Sequence, residues 1–207
     1  MSLAESRPRE CGPVRGRPRS ETVERAILEG VMRLLEDGVP LAEISIERVA
    51  RTAGVGKATI YRRWSGKEEL FVDVMRAAEP PDPVLPGTSM RDDLVVLLES
   101  LRMRGLVSRT SAILHNAYTQ MKCNPKIWAA YEAEVIAPRR RMGLEVLRRG
   151  QRDGELRDDI DLELANDMFV GPMLARSVLR PSADLPEGLA EQIVDTVLAG
   201  LRPRARM

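Results

Sequence analysis

The chain is predicted to be all-α, and three features of its 207 residues carry that expectation. Apolar residues recur at helical i, i+3, i+4, i+7 spacing in segment after segment. Aromatics make up only 3%, so the 43% apolar fraction is built from Leu, Val, Ile, Ala and Met, a mix that suits helices better than sheets. No strand-like alternation is long enough to matter. Charged residues at 30% mark a soluble chain. No apolar run approaches the ~20 residues of a membrane span, and the N-terminus lacks a signal-peptide core, so the expected location is the cytoplasm, with no membrane partner. Cys11 and Cys123 lie far apart, which argues against a disulfide framework.

Residues 1–19 read as a disordered basic arm. Five arginines between Arg7 and Arg19 stand against one acid, Glu10. Such an arm could follow a nucleic-acid backbone or be a solvated tail, and no residue in it decides between the two. Ser20 is the expected N-cap of a first helix to about Asp37, with Val23, Ile27, Val31 and Leu34 on one face and Gly38 and Pro40 closing it.

Ser45 can cap a short second helix with Ile46, Val49, Ala50 and Ala53 on its apolar face. Gly54 ends it, because the left-handed C′ position is tolerated best without a Cβ. A third helix, Lys57 to Trp64, follows a three-residue turn and buries Ile60. Two short helices about a glycine turn form a helix-turn-helix, the second presenting Lys57, Thr59, Tyr61, Arg62 and Arg63. The run Ala53-Gly54-Val55, then Thr59-x-Tyr61-Arg62-x-Trp64, then Ser65-x-Lys67-Glu68-Glu69-Leu70 resembles the TetR (AcrR-like) family of bacterial repressors. A fourth helix, Lys67 to Ala78, buries Leu70, Phe71, Val74 and Met75 and completes a domain over 20–78.

Four prolines between Pro80 and Pro86 exclude a helix and place a linker at 79–88. Beyond it, residues 89–201 read as helices over Met90–Val107, Thr110–Lys122 and Pro125–Asp153, the last kinked at Pro138. Helices over 161–179 and 186–201 close the chain before a short tail, 202–207. Apolar rows Leu162, Ala165, Phe169, Met173 and Leu189, Ile193, Val197, Leu201 exceed what one helix pair needs internally. About nine helices result. The resemblance implies a three-helix helix-turn-helix domain with its supporting fourth helix, then a helical ligand-binding and dimerisation domain. It also implies that the last two helices pair with a second copy.

For function, the resemblance implies a sequence-specific transcriptional regulator. The expected form is a homodimeric repressor released by a small apolar or amphipathic ligand from a near-palindromic operator. The alternative is a regulator answering to a protein partner, or an activator. The expected DNA-binding residues are Ser45, Lys57, Thr59, Tyr61, Arg62, Arg63 and Lys67. Hydroxyl, phenol and ammonium groups near a helix N-terminus suit phosphate, and the family's pattern puts Thr59, Tyr61 and Lys67 on the backbone. Arg63 is the candidate for base readout, since a guanidinium can bond guanine O6 and N7 together. Gly56 stands where the family often has Ser, so a capping hydroxyl is missing.

Met103, His115, Tyr118, Trp128 and Tyr131 are the candidates for a ligand site, methionine for its adaptability and the aromatic residues for an apolar body with a polar tip. Mid-helix beside Asn116 and Tyr118, His115 reads first as a partly buried, satisfied histidine and only second as a polar group of a pocket. Arg139–Arg141, Arg148 and Arg149 read as a solvated face. Gly54–Thr59 fails as a phosphate loop, since Arg51 and Ala58 stand where it needs Gly and Ser or Thr. One histidine, no His/Cys cluster and no Gly-x-Ser-x-Gly elbow leave no catalytic residue, no metal ligand and no cofactor to assign.

Overall fold

The computed structural model describes residues 17–180 and 182–201. The arm up to residue 16 and the tail 202–207 lie outside the described residues. Ten α-helices follow in order among those described: α1 (Arg17–Glu36), α2 (Ile46–Ala53), α3 (Lys57–Tyr61), α4 (Lys67–Ala78), α5 (Met90–Thr110), α6 (Ala112–Lys122), α7 (Pro125–Tyr131), α8 (Ala137–Arg152), α9 (Leu162–Leu174) and α10 (Leu189–Leu201). The count is nine if α7 and α8 are taken as one rod. The described part contains no strand. None of its helices is long and apolar enough to cross a membrane.

Helix α1 begins at Arg17, three residues before the expected cap at Ser20, so Arg17–Arg19 belong to a helix rather than to the arm. Pro18 at the second helical position suits this start, because its missing N–H is one the first turn leaves unbonded anyway. Helix α3 is shorter than expected and gives way to a turn at Arg62–Arg63.

The first hydrophobic core joins Ile27 and Val31 of α1, Val49 of α2, Ile60 of α3 and Phe71 of α4 to Leu114 and Met121 of α6 and Ile127 of α7. Each such fully buried aliphatic side chain stabilises by about 1.5–3 kcal/mol. Packing therefore runs continuously from the N-terminal helices onto α6 and α7, across a Glu79–Thr88 segment that carries no helix. A second core is made by α5, α8, α9 and α10 around Leu94, Leu98, Leu147, Phe169 and Val194.

The expected kink at Pro138 takes the form of a π-type turn, Glu132–Ile136, closed by the Ala137 N–H donating to the Glu132 carbonyl. Proline has no N–H to offer the carbonyl four residues back, that of Glu134. Arg76 of α4 donates to that carbonyl instead, Nη2 to O at 3.2 Å. A second π-type turn, Ala175–Leu179, ends α9.

The apolar rows set aside for a second copy prove to be internal. Ala165, Phe169 and Met173 of α9, and Leu189, Ile193 and Leu201 of α10, are all buried in the second core. The surplus lies on the opposite side of α9 and in its π-type end, where Leu164, Met168, Val178 and Leu179 are exposed. Three of the five arginines read as a solvated face, Arg139, Arg140 and Arg149, are also engaged. Arg140 pairs with Glu163 and Asp167 of α9, and Arg149 pairs with the fully buried Asp93 of α5. Their partners lie on other helices, which periodicity within one helix does not reveal.

Candidate nucleic-acid interface

Helix α2 is fixed at both ends by its own sequence. Ser45 Oγ accepts from the Arg48 N–H at 3.2 Å, and Gly54 takes φ 68°, letting the Val55 N–H close back onto Ala50 O at 2.9 Å. Gly56 then caps α3 in extended conformation without a side-chain bond. Only Ile60 of α3 is buried, so the remaining positions face outward or the groove beside α2.

Tyr61 is 57% exposed, and Arg62 next to it and Ser45 at the start of α2 are exposed as well. Thr59 and Arg63 are half-buried, with Arg63 Nη1 donating to Thr59 O at 3.3 Å. Lys57, first in α3, has its ammonium paired with Glu47 of α2. That hydrogen bond, and then the opposite charge, hold Glu47 below and Lys57 above their ordinary pKa values.

Lys67, another expected phosphate contact, is half-buried and engaged within the chain. Its ammonium donates to the carbonyls of Ala42 and Ile44 at 3.2 and 3.3 Å and lies 5.7 Å from the Phe71 ring centre. It thus ties α4 to the 3₁₀ turn Leu41–Glu43 that leads into α2. Trp64, read only as part of the family pattern, is a core residue whose indole N–H donates to Asp73 at 2.8 Å. Asp73 in turn accepts from Arg76 at 2.7 Å, and Arg76 reaches the π-type turn at Glu134. A polar chain therefore runs from the end of α3 through α4 to the α7–α8 rod.

Behind the head, α4 ends in a buried charge cluster. Glu79 Oε1 accepts from the Tyr131 hydroxyl at 2.8 Å, and Oε2 lies 2.8 Å from Arg139 Nη2 and 3.3 Å from Arg104 Nε. Arg104 Nε and Glu79 Oε2 are held by charge rather than by an aligned hydrogen bond. Both arginines also reach Asp82 in the non-helical Glu79–Thr88 segment, at 2.6 and 2.8 Å. Burial, and then Arg139, push Arg104 below its usual value. Sequence reasoning missed Glu79 and Arg104, and read Arg139 as part of a solvated face although it is paired here with Glu79 and Asp82. The one local clue was a carboxylate at the C-terminus of a helix, where the helix dipole calls for a cation.

The five ligand-site candidates are not gathered in one place. Tyr131 is buried between α4 and α6, its hydroxyl 3.0 Å from that of Tyr118. Trp128 stands 5.9 Å from the Tyr131 ring and under the Lys122 ammonium. Met103 on α5 and His115 on α6 are exposed, which removes the partly buried reading of His115.

Residues 27–74 match the model of the family described as bacterial regulatory proteins, tetR family, and residues 85–197 match the tetracyclin repressor-like C-terminal domain. The HTH-type transcriptional regulator YdeS of Bacillus subtilis is 30% identical over 166 residues, covering 80% of this chain and 83% of that protein. The DNA-binding transcriptional repressor TetR of Mycobacteroides abscessus is 29% identical across 91% of this chain and 98% of its own length. Among solved structures, the TetR family regulator SCO0332 is similar with a TM-score of 0.57 at 25% identity, covering 87% of this chain and 99% of that one. MexZ, a repressor of Pseudomonas aeruginosa, shares the fold with a TM-score of 0.61 at 20% identity over 88% and 96% of the two chains.

Proposed function

Because the chain belongs to the TetR family and is a DNA-binding transcriptional regulator, we propose that it acts as a homodimeric repressor released from a near-palindromic operator by a small apolar or amphipathic ligand. In this reading residues 20–78 bind DNA, 79–88 form the linker, and 89–201 bind the ligand and the second subunit. The observation that carries it is the α2–α3 head, where Tyr61, Arg62 and Ser45 are exposed and Thr59 and Arg63 half-buried. Two such heads would enter successive major grooves ~34–36 Å apart. The exposed apolar side of α9 supports the pairing of two copies. The description of MexZ as a repressor supports the direction of control.

Ligand and operator would then favour different conformers, so that each weakens the other's binding. The polar chain Trp64–Asp73–Arg76–Glu134 is a route by which a change in the α7–α8 rod would reach α3.

A second reading, control by a protein partner without a small ligand, is favoured by one observation. Tyr131, the best-placed aromatic candidate for a ligand site, is buried with its hydroxyl already bonded to Glu79 and Tyr118. The test is a titration of the purified chain onto its own upstream DNA at two salt concentrations, against a scrambled duplex. Saturation at two or four subunits on the upstream DNA alone supports the operator reading, and equal binding to both duplexes overturns it. A melt screen with small apolar compounds then separates the two modes of control: a stabilising compound that also releases DNA supports the first.

A further inference from the structure

Between Ser45 and Trp64 the chain carries five cationic side chains, Arg48, Arg51, Lys57, Arg62 and Arg63, and a single carboxylate, Glu47. That carboxylate is directed at one cation in particular. Glu47 lies in the first turn of α2, and its Oε1 accepts from the ammonium of Lys57, the first residue of α3. The bond spans the two helices of the reading head. The Lys57 and Glu47 side chains are 53% and 70% exposed, so the pair is held at the surface mainly by its own bond. Arg51, one turn along α2, adds a further attraction to Glu47.

We infer that Glu47 is a positioning and specificity-determining residue of the DNA-reading surface, holding Lys57 across the α2–α3 gap and neutralising the first cation of the recognition helix. The inference rests on the chain's DNA-binding function. A phosphate that draws Lys57 away competes with Glu47, and the carboxylate then faces a polyanion with only the weaker attraction of Arg51 to offset it. On an arbitrary duplex that opposition is otherwise uncompensated, so binding is weak. A site whose cytosine N4 amino group meets the carboxylate compensates it, because that amino group is a donor a carboxylate can accept from. Glu47 therefore lowers affinity for DNA at large and widens the contrast between sequences.

The full-length chain and its Glu47→Gln, Lys57→Met and doubly substituted variants would be titrated onto two duplexes, one selected by the wild type from a random library and one scrambled. Salt would span about 50–200 mM. Glu47→Gln should bind the scrambled duplex several-fold more tightly, with log K falling more steeply against log salt by about one unit, the signature of one more phosphate contact. The selected duplex should gain less, so the ratio between the two falls. In the Lys57→Met background most of the gain should vanish. Urea unfolding of each variant separates a structural effect, because a destabilised head cannot gain affinity or a steeper salt slope. An unchanged slope for Glu47→Gln, a loss on both duplexes, or a gain that persists in full without Lys57 overturns the inference while DNA binding by the wild type stands. If the wild type retains no duplex at the lowest salt, the operator reading fails and this inference fails with it.

Discussion

At the reading head Glu47 and Lys57 meet with more than half of each side chain in water, whereas at the end of α4 Glu79 and Arg104 meet with less than a tenth of either exposed. The chemistry is the same in both places. At the head, water and salt screen the pair, so it can open when a phosphate arrives. At the junction neither group has water to return to, and Tyr131, Arg139 and Asp82 surround the pair, with Glu79 Oε2 and Arg104 Nε held by charge alone. In the reading proposed above, charge at the head is held in reserve for a partner outside the chain. Charge at the junction fixes how α4, the segment after it, α5 and α8 sit together.

The strongest way to break this contrast is Glu79→Ala. Removing the carboxylate leaves the half-exposed Asp82 as the remaining shared counter-ion of Arg104 and Arg139, and loss of one partner from a buried pair costs up to about 3–5 kcal/mol. Urea unfolding should show a loss of that size. A loss under about 1 kcal/mol would place the junction in the same class as an exposed pair.

Tyr131 sharpens the contrast through pH. Burial first, and then the charge of Glu79, raise its hydroxyl pKa well above the ordinary 10.0. The folded chain therefore keeps a proton that the unfolded chain gives up. This contribution is fully present below about pH 10 and is lost as pH rises from there toward the raised value. Tyr131→Phe removes the bonds to Glu79 and Tyr118, at a cost of about 1–3 kcal/mol near neutrality. The stability gap between wild type and Tyr131→Phe should narrow in unfolding curves taken at about pH 11. A gap that widens there would contradict the assigned direction.

Elements closed by local chemistry were legible in the sequence. Ser45 and Gly54 bound α2, and Lys67–Ala78 is helical over the span its pattern predicts, because cap, stop and apolar face all lie within a few residues. What was not legible depends on partners far along the chain. Pro138 marks a kink, yet the π-type turn that accommodates it is braced by Arg76 from α4. The row Leu162, Ala165, Phe169, Met173 looked like surplus because periodicity shows that a helix has an apolar face without saying what covers it. Lys67 shows the same limit at the candidate site. The motif locates it, but only the fold brings the carbonyls of Ala42 and Ile44 to its ammonium.

Arg63 and Lys67 test whether the head divides into reading and supporting residues. Arg63→Ala should cost about 1–3 kcal/mol on the selected duplex and relax specificity at one base pair. Equal losses on selected and scrambled duplexes would remove its base-reading role. Lys67→Ala should weaken every duplex alike and also lower urea stability by about 1 kcal/mol, since two carbonyls lose their donor. Unchanged stability would return Lys67 to a purely DNA-facing role.

The smallest effect is expected at Gly56, where support and reading meet in one residue. Its backbone is extended, φ −75° and ψ 146°, which any residue adopts, and a Cβ there would meet nothing within 4 Å. Glycine is therefore not required by the fold. A serine would offer α3 the side-chain cap it lacks, and because glycine is itself a fair N-cap the gain is only a few tenths of a kcal/mol. Gly56→Ser should raise the urea midpoint slightly and leave the ratio between selected and scrambled duplexes unchanged. If stability rises but binding to both duplexes falls, the glycine serves the other surface. The DNA backbone would then approach the start of α3 too closely for a side chain, a constraint that belongs to the complex and not to the free protein.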